Sequence, residues 1–228
     1  EVDCVNANLL WSIYKVMKIK NYYEPFPYII IDDYYDEREL PLIWEELDFL
    51  CYPTKLRRAT TKRGGAQTPE GTLLKLNYHS YLDGLYAFRD MSNILMVNRK
   101  LFRNGYEIFR QHDSWFFKNL HINKDNTQVG YYEENDEYKT HIDSSTVTSL
   151  TWLYKEPKRF TGGDLILPDY NVEIKLHNNR TFIFPSFIKH GVVPVKMEEQ
   201  YRNTKSGRFC ISQFGQLDMS TIMPPHHD

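Results

Sequence analysis

The sequence predicts an α+β fold: N-terminal helices that buttress a β-sandwich or barrel of about eight strands. Three observations predict it. Apolar residues recur at helical spacing through the first half of the chain. After Trp115 the pattern changes to short runs rich in β-branched and aromatic residues, punctuated by Asn, Asp, Gly and Pro. Length and composition suit one core: 228 residues, 41% hydrophobic and 25% charged, enough to bury a globular interior without covalent staples.

Residues 8–20 carry Leu9, Leu10, Ile13, Val16 and Met17 at a spacing that predicts a short helix. Pro25 and Pro27 break the chain, and Tyr28-Ile29-Ile30-Ile31 reads as a buried strand. From Asp36 to Leu50 an apolar stripe of Leu40, Ile43, Trp44, Leu47 and Leu50 predicts an amphipathic helix. Lys55, Arg57, Arg58, Lys62 and Arg63 follow without an acidic residue among them, and with Gly64-Gly65 read as a solvated loop. Helical spacing returns from Ser92 to Arg110, with Ile94, Leu95, Leu101, Phe102, Ile108 and Phe109 as core residues. Strands are expected near 127–133, 138–143, 146–154, 163–167, 171–176, 181–185, 188–195 and 207–214. The organisation expected is a single domain over 1–228: a mainly helical buttress over 1–114, a strand-built core over 115–216, and a frayed tail over 217–228.

Bulk properties narrow the function. A net charge of −2 gives no field favouring nucleic acid or an anionic surface. Three widely spaced cysteines, Cys4, Cys51 and Cys210, make no disulfide framework and suit a reducing compartment. No apolar run reaches the roughly 20 residues of a membrane span, and the first residues lack a signal-peptide profile. The expectation is a cytoplasmic protein. The sequence sets no oligomeric state.

The chemistry-bearing text begins at His141-Ile142-Asp143. In a strand, alternate side chains share a face, so His141 and Asp143 would point together while Ile142 packs on the other side. His190, in Phe187-Ile188-Lys189-His190-Gly191-Val192, is the candidate third ligand. Two histidines and a carboxylate are the set that holds non-haem Fe(II) with open positions. Arg208, on the next strand, adds a cation able to grip a carboxylate through two N–H groups, and a hairpin return would set it beside His190. Together they predict an enzyme that uses iron and a carboxylate-bearing co-substrate. His79, His112, His121 and His177 fall outside any ligand spacing, and His226 and His227 are terminal.

The chain resembles the Fe(II)/2-oxoglutarate dioxygenase superfamily and, within it, the prolyl 4-hydroxylase-like branch. The matching text is Pro25-Phe26-Pro27-Tyr28-Ile29-Ile30-Ile31-Asp32, the tyrosines 131, 132 and 138, His141-Ile142-Asp143, Leu150-Thr151-Trp152-Leu153-Tyr154, Gly162-Gly163-Asp164-Leu165, Asn179 to Ser186, His190 to Val195 and Gly207-Arg208-Phe209, in that order. The resemblance implies a double-stranded β-helix, or jelly-roll, with iron at its open end. It implies His141, Asp143 and His190 as iron ligands and Arg208 as partner of the distal carboxylate of 2-oxoglutarate. Tyr131, ten positions before His141, would hydrogen-bond that carboxylate, with Tyr132 the competing choice; Ser212, on Arg208's face, would add a further bond. Arg202 and Lys205 compete with Arg208 from a loop longer than usual. Tyr138 and Trp152 are candidates for the substrate pocket.

Catalysis would run through the iron centre, with no separate acid or base assigned. Cofactors implied are Fe(II), 2-oxoglutarate and O2, with ascorbate a further candidate; succinate and CO2 would be co-products. The aspartate, where halogenating relatives have a small residue, points to hydroxylation. A peptidyl residue such as proline is the leading substrate, a free amino acid or other small molecule the alternative. A metal- or sugar-binding jelly-roll without catalysis is the rival from another class.

Overall fold

In the computed structural model, residues 17–51, 55–60, 66–102 and 107–221 are described. Fifteen strands lie among them: β1 (Lys18–Tyr22), β2 (Tyr28–Asp32), β3 (Arg57–Arg58), β4 (Lys75–Leu76), β5 (Tyr78–Tyr81), β6 (Lys124–Tyr132), β7 (Glu137–His141), β8 (Val147–Leu153), β9 (Phe160–Thr161), β10 (Leu165–Leu167), β11 (Val172–Ile174), β12 (Arg180–Pro185), β13 (His190–Val192), β14 (Lys196–Met197) and β15 (Arg208–Gln216). The helices are α1 (Glu39–Leu50), α2 (Leu82–Leu85), α3 (Asn93–Asn98), α4 (Glu107–Arg110) and α5 (Trp115–Lys118).

The strands form an eight-stranded sheet, β1-β2-β12-β8-β15-β6-β5-β3, and a five-stranded sheet, β11-β10-β13-β7-β4, with β14 and β9 as a separate pair. Neighbouring strands among the described residues pair antiparallel throughout. This is the jelly-roll architecture. All eight strands expected after Trp115 are present, most of them shorter than expected at one end.

The large sheet is buried on both faces, so its strands read as nearly continuous apolar runs. On β2, Ile29 and Ile31 face the helices while Tyr28 and Ile30 face the small sheet. On β12, Ile183 faces the helices; Phe182 and Phe184 face the interior. On β15, Phe209 and Ile211 face the helices, and Cys210 faces the interior. One core thus lies between sheet and helices. The other, built on Trp152, Phe182, Phe184, Leu165 and Leu167, lies between the sheets.

The α1 stripe delivers Ile43, Leu47 and Leu50 to the first core at full burial, each worth roughly 1.5–3 kcal/mol. Its start is closed by a reciprocal capping pair: Arg38 N–H and Glu39 N–H each donate to Asp36 Oδ1 at 2.8 Å, and Asp36 N–H donates to Glu39 Oε2 at 3.1 Å. Glu46, buried on α1, accepts from Ser92 Oγ at 2.7 Å and Ile94 N–H at 2.8 Å, tying α1 to the start of α3.

Four expectations need correction. The helix over 8–20 lies mostly outside the described residues, and Lys18–Lys20 belong to a strand, where Ile19 pairs with Ile31. The first half is therefore not only a helical buttress; it supplies strands to both sheets. The basic stretch is not simply a loop: Arg57 and Arg58 pair with His79 and Tyr78, and Arg58 forms an ion pair with Asp136. Lys62 and Arg63, like the tail beyond 221, lie outside the described residues. The helical reading of 92–110 is split between α3, a 3-10 turn over 99–102 and α4. No helix among the described residues is long and apolar enough to cross a membrane.

Candidate metal centre and carboxylate pocket

His141 ends β7 and lies directly opposite His190, which begins β13. Their rings are 4.3 Å apart. Asp143 closes the group: Oδ1 is 3.6 Å from His141 Nε2 and Oδ2 is 3.4 Å from His190 Nε2. Donor atoms of all three lie within 4.8 Å of one another. The route to this geometry differs from simple strand alternation. The strand stops at His141, Ile142 is 58% exposed rather than packed, and Asp143 is turned inward by its N–H bond to Ser186 O at 3.0 Å.

The backbone fixes which imidazole nitrogen faces inward. His141 Nδ1 lies 2.9 Å from Lys139 O, and His190 Nδ1 lies 2.9 Å from Ile188 O. A carbonyl only accepts, so each Nδ1 carries the proton and each Nε2 presents a lone pair. Asp143 is oriented by Thr148 Oγ1, which donates to Oδ2 at 2.7 Å and is itself 2.9 Å from Ser186 Oγ. Tyr138 stacks on His141 at 3.5 Å between centroids, and Phe184 meets His190 edge-on. Burial, followed by the nearby His141 charge, pushes the His190 pKa down to about 4, against the pull of Asp143. Burial disfavours ionised Asp143, but the adjacent imidazoles and the Thr148 hydroxyl outweigh it and hold its pKa below the usual value. A neutral His190 beside an ionised Asp143 is what a divalent metal requires of such side chains.

A cavity of about 70 Å³ adjoins these three side chains, lined among others by Lys75, Gln128, Tyr132, Tyr138, Arg208 and Ser212. Strand parity builds it. Across the β15–β6 ladder Arg208 faces Tyr132, Cys210 faces Gly130 and Ser212 faces Gln128, so one face of both strands supplies the wall. Arg208 is fully buried. Its Nε donates to Gly163 O at 2.8 Å, which fixes the guanidinium above the Tyr132 ring at 4.8 Å. Nη1 and Nη2 are buried with no hydrogen-bond partner. An orphaned pair of parallel donors at the end of a cavity fits a carboxylate.

The structure sorts the remaining expected residues. Ser212 and Tyr138 line the cavity. Tyr131 does not: its hydroxyl donates to Glu133 Oε1 at 2.7 Å, accepts from Gly207 N–H at 3.1 Å, and lines a separate cavity on the helix side of the sheet. Tyr132, the competing choice, has the parity that faces Arg208. Trp152 is fully buried with its ring 6.0 Å from the Arg208 guanidinium, so it packs behind the pocket. Arg202 reaches Met197 O and Lys205 reaches Asp48 O, so neither replaces Arg208. Arg208 and His190 lie on facing sheets, not on a hairpin.

Lys75 was not legible in the sequence. It is 7% exposed on two-residue β4, and its Nζ donates to Gln128 Oε1. Burial, with a smaller contribution from Arg208, pushes its pKa down to about 8. Thr148 was legible only as a strand residue whose parity matches Leu150 and Trp152.

Residues 127–214 match the model of the 2OG-Fe(II) oxygenase superfamily. No curated protein matches the chain by sequence. Among solved structures, a Pseudomonas putida prolyl-4-hydroxylase is similar in fold, with 14% identity and a TM-score of 0.57, covering 83% of this chain and 92% of that one. A 2OG-Fe(II) oxygenase-family oxidoreductase from Burkholderia pseudomallei gives 11% identity and a TM-score of 0.53 over 83% and 84% of the two chains. The strand-built second half of the chain thus matches that family model, and the fold as a whole is similar to that of a prolyl-4-hydroxylase.

Proposed function

We propose that His141, Asp143 and His190 hold Fe(II), that Arg208 binds the distal carboxylate of 2-oxoglutarate, and that the enzyme hydroxylates a C–H bond of a peptidyl residue such as proline. One observation carries the reading: three convergent donors stand at one end of a buried cavity and two unpartnered guanidinium nitrogens at the other.

Bound Fe(II), with 2-oxoglutarate and O2, supplies the oxidation, with succinate and CO2 as co-products. The chain's own residues supply geometry. The carbonyls of Lys139 and Ile188 hold both imidazoles in the ligating tautomer, and Thr148 holds Asp143, the outer-shell support that metal ligands generally need. Gly163 O fixes Arg208 so that both Nη groups remain for the co-substrate. Ser212, on the same face and four residues further along β15, offers a hydroxyl to the same cavity. Tyr138, Leu150, Leu165 and Val192 line the cavity with apolar surface that keeps water from the reacting centre.

A polypeptide substrate is supported by a second, more open depression that shares Tyr81, Asp143 and Phe214 with the first and continues along Asn126, Ser144, Ser145 and Gln216. A length of chain could lie there with one side chain turned toward Asp143. Proline is the first residue to test because the similar Pseudomonas putida structure is a prolyl-4-hydroxylase. The Fe(II)-loaded protein incubated with 2-oxoglutarate and proline-rich peptides should add one oxygen atom per peptide, matched by succinate. Succinate release with no oxidised peptide, but with an oxidised free amino acid, would shift the substrate class.

A further inference from the structure

Two cations line the cavity, Lys75 and Arg208, against one carboxylate, Asp143. Neither cation has an ion pair among the described residues, and Lys75 has a single hydrogen-bond partner, the neutral amide oxygen of Gln128. A buried ammonium with three N–H groups and one neutral acceptor is a costly arrangement unless an anion completes it. Arg208 answers to one carboxylate. Lys75 remains to be explained.

The ladder register locates it. Arg208 stands in the row of Tyr132, whereas Lys75 reaches Gln128, in the row of Ser212 and Leu150. Four strand residues separate the rows, about 13 Å. Thr148, which holds Asp143, is opposite Phe214, two residues beyond Ser212. Lys75 Nζ also lies 4.9 Å from the centre of the Tyr138 ring, and that ring stacks on His141. The ammonium therefore belongs to the metal end of the cavity and the guanidinium to the far end. A divalent ion on the three ligands raises the positive excess, and a dicarboxylate lowers it by two charges.

We propose that Lys75 is a co-substrate-binding residue, set against the carboxylate at the metal end of 2-oxoglutarate while Arg208 holds the distal one. This rests on the oxygenase reading above. It makes the cradle two-headed, and it predicts that the pocket retains affinity for a 2-oxo acid that lacks a distal carboxylate.

Calorimetric titration of protein loaded with Mn(II), a redox-inert stand-in, separates the possibilities without turnover. The ligands are N-oxalylglycine, an unreactive dicarboxylate analogue, and 2-oxobutyrate, which has only the metal-end carboxylate. Lys75→Met should weaken both by about 30-fold or more, the loss typical of removing one partner of a buried charge pair. Arg208→Met should weaken N-oxalylglycine and spare 2-oxobutyrate. Without ligand, Lys75→Met should bind Mn(II) as the parent does and melt no lower, because an uncompensated buried charge has been removed; Lys75→Gln serves as a second neutral variant. Unchanged binding of both ligands in folded Lys75→Met or Lys75→Gln would overturn the proposal and leave the Arg208 assignment standing. Loss of N-oxalylglycine alone would move Lys75 to the distal end and overturn it equally. If the parent protein itself binds no N-oxalylglycine, the oxygenase reading fails and takes this one with it.

Discussion

Arg208 and Tyr132 stand directly opposite one another on β15 and β6, and the guanidinium carbon lies 4.8 Å above the centre of the ring. The tyrosine gives the cation an aromatic floor, and Gly163 O fixes its edge at 2.8 Å, so neither Nη needs to move to meet a ligand.

Arg208→Lys should therefore be a poor replacement. A lysine keeps the charge but loses the fork and the Nε bond. The KM for 2-oxoglutarate should rise by tenfold or more, about 1.4 kcal/mol of lost binding, measured as succinate formed against co-substrate concentration. Tyr131→Phe should leave that KM unchanged and lower stability by about 1 kcal/mol through its lost hydroxyl bond to Glu133, read by urea denaturation. A raised KM in Tyr131→Phe would return that residue to the pocket.

Gly163→Ala should damage the same pocket through the backbone. Gly163 has φ +75, which an L side chain rarely adopts, and an added Cβ would lie 2.8 Å from Arg208 Cδ. The variant should lose about 1–3 kcal/mol of stability and bind 2-oxoglutarate more weakly, while metal affinity stays near that of the parent. Equal loss of metal and co-substrate binding would mean general unfolding instead.

Thr148→Val keeps the shape and removes the hydroxyl that donates to Asp143 at 2.7 Å. Metal affinity should fall by about 10- to 100-fold, the usual effect of losing an outer-shell partner, in a competition titration with a chelating dye. An unchanged affinity would show that the Asp143 N–H bond to Ser186 O, together with packing, suffices to orient the carboxylate.

Acid should destabilise the metal-free protein. Burial is the main reason that His190 and His79 have pKa values near 4, with His141 and Lys75 adding to it respectively. Unfolded, both return to about 6.5. Between those values the unfolded chain binds more protons, so stability rises with pH through this window and is lost as pH falls. The urea midpoint should drop progressively from pH 6.5 toward pH 4, less steeply in His79→Gln. A flat profile would contradict the burial of these rings.

The His141, Asp143 and His190 cluster was legible because short-range chemistry dominates it: two histidines and an aspartate on strand-like text, followed by an arginine on a strand of clear alternation. The eight late strands were legible for the same reason, their turns being marked by Asn, Gly and Pro. Tyr131 was misread because counting back from His141 crosses the turn over 133–136, where parity is lost. Register with Arg208, set by a strand about 75 residues further on, decides that Tyr132 faces inward. Lys75 was invisible because β4 has two residues and no periodicity, and only pairing with Tyr138 brings it to the site. The strand at Lys18–Tyr22 was overridden by tertiary pairing: its apolar neighbours fit a helix, but β2 offered an edge.

The most direct test of the metal centre is an anaerobic titration of Fe(II) into the protein with 2-oxoglutarate present. A weak visible charge-transfer band should appear, saturate at one iron per chain and disappear in His141→Ala. A protein that keeps its fold and its 2-oxoglutarate but gives no band would contradict the iron assignment.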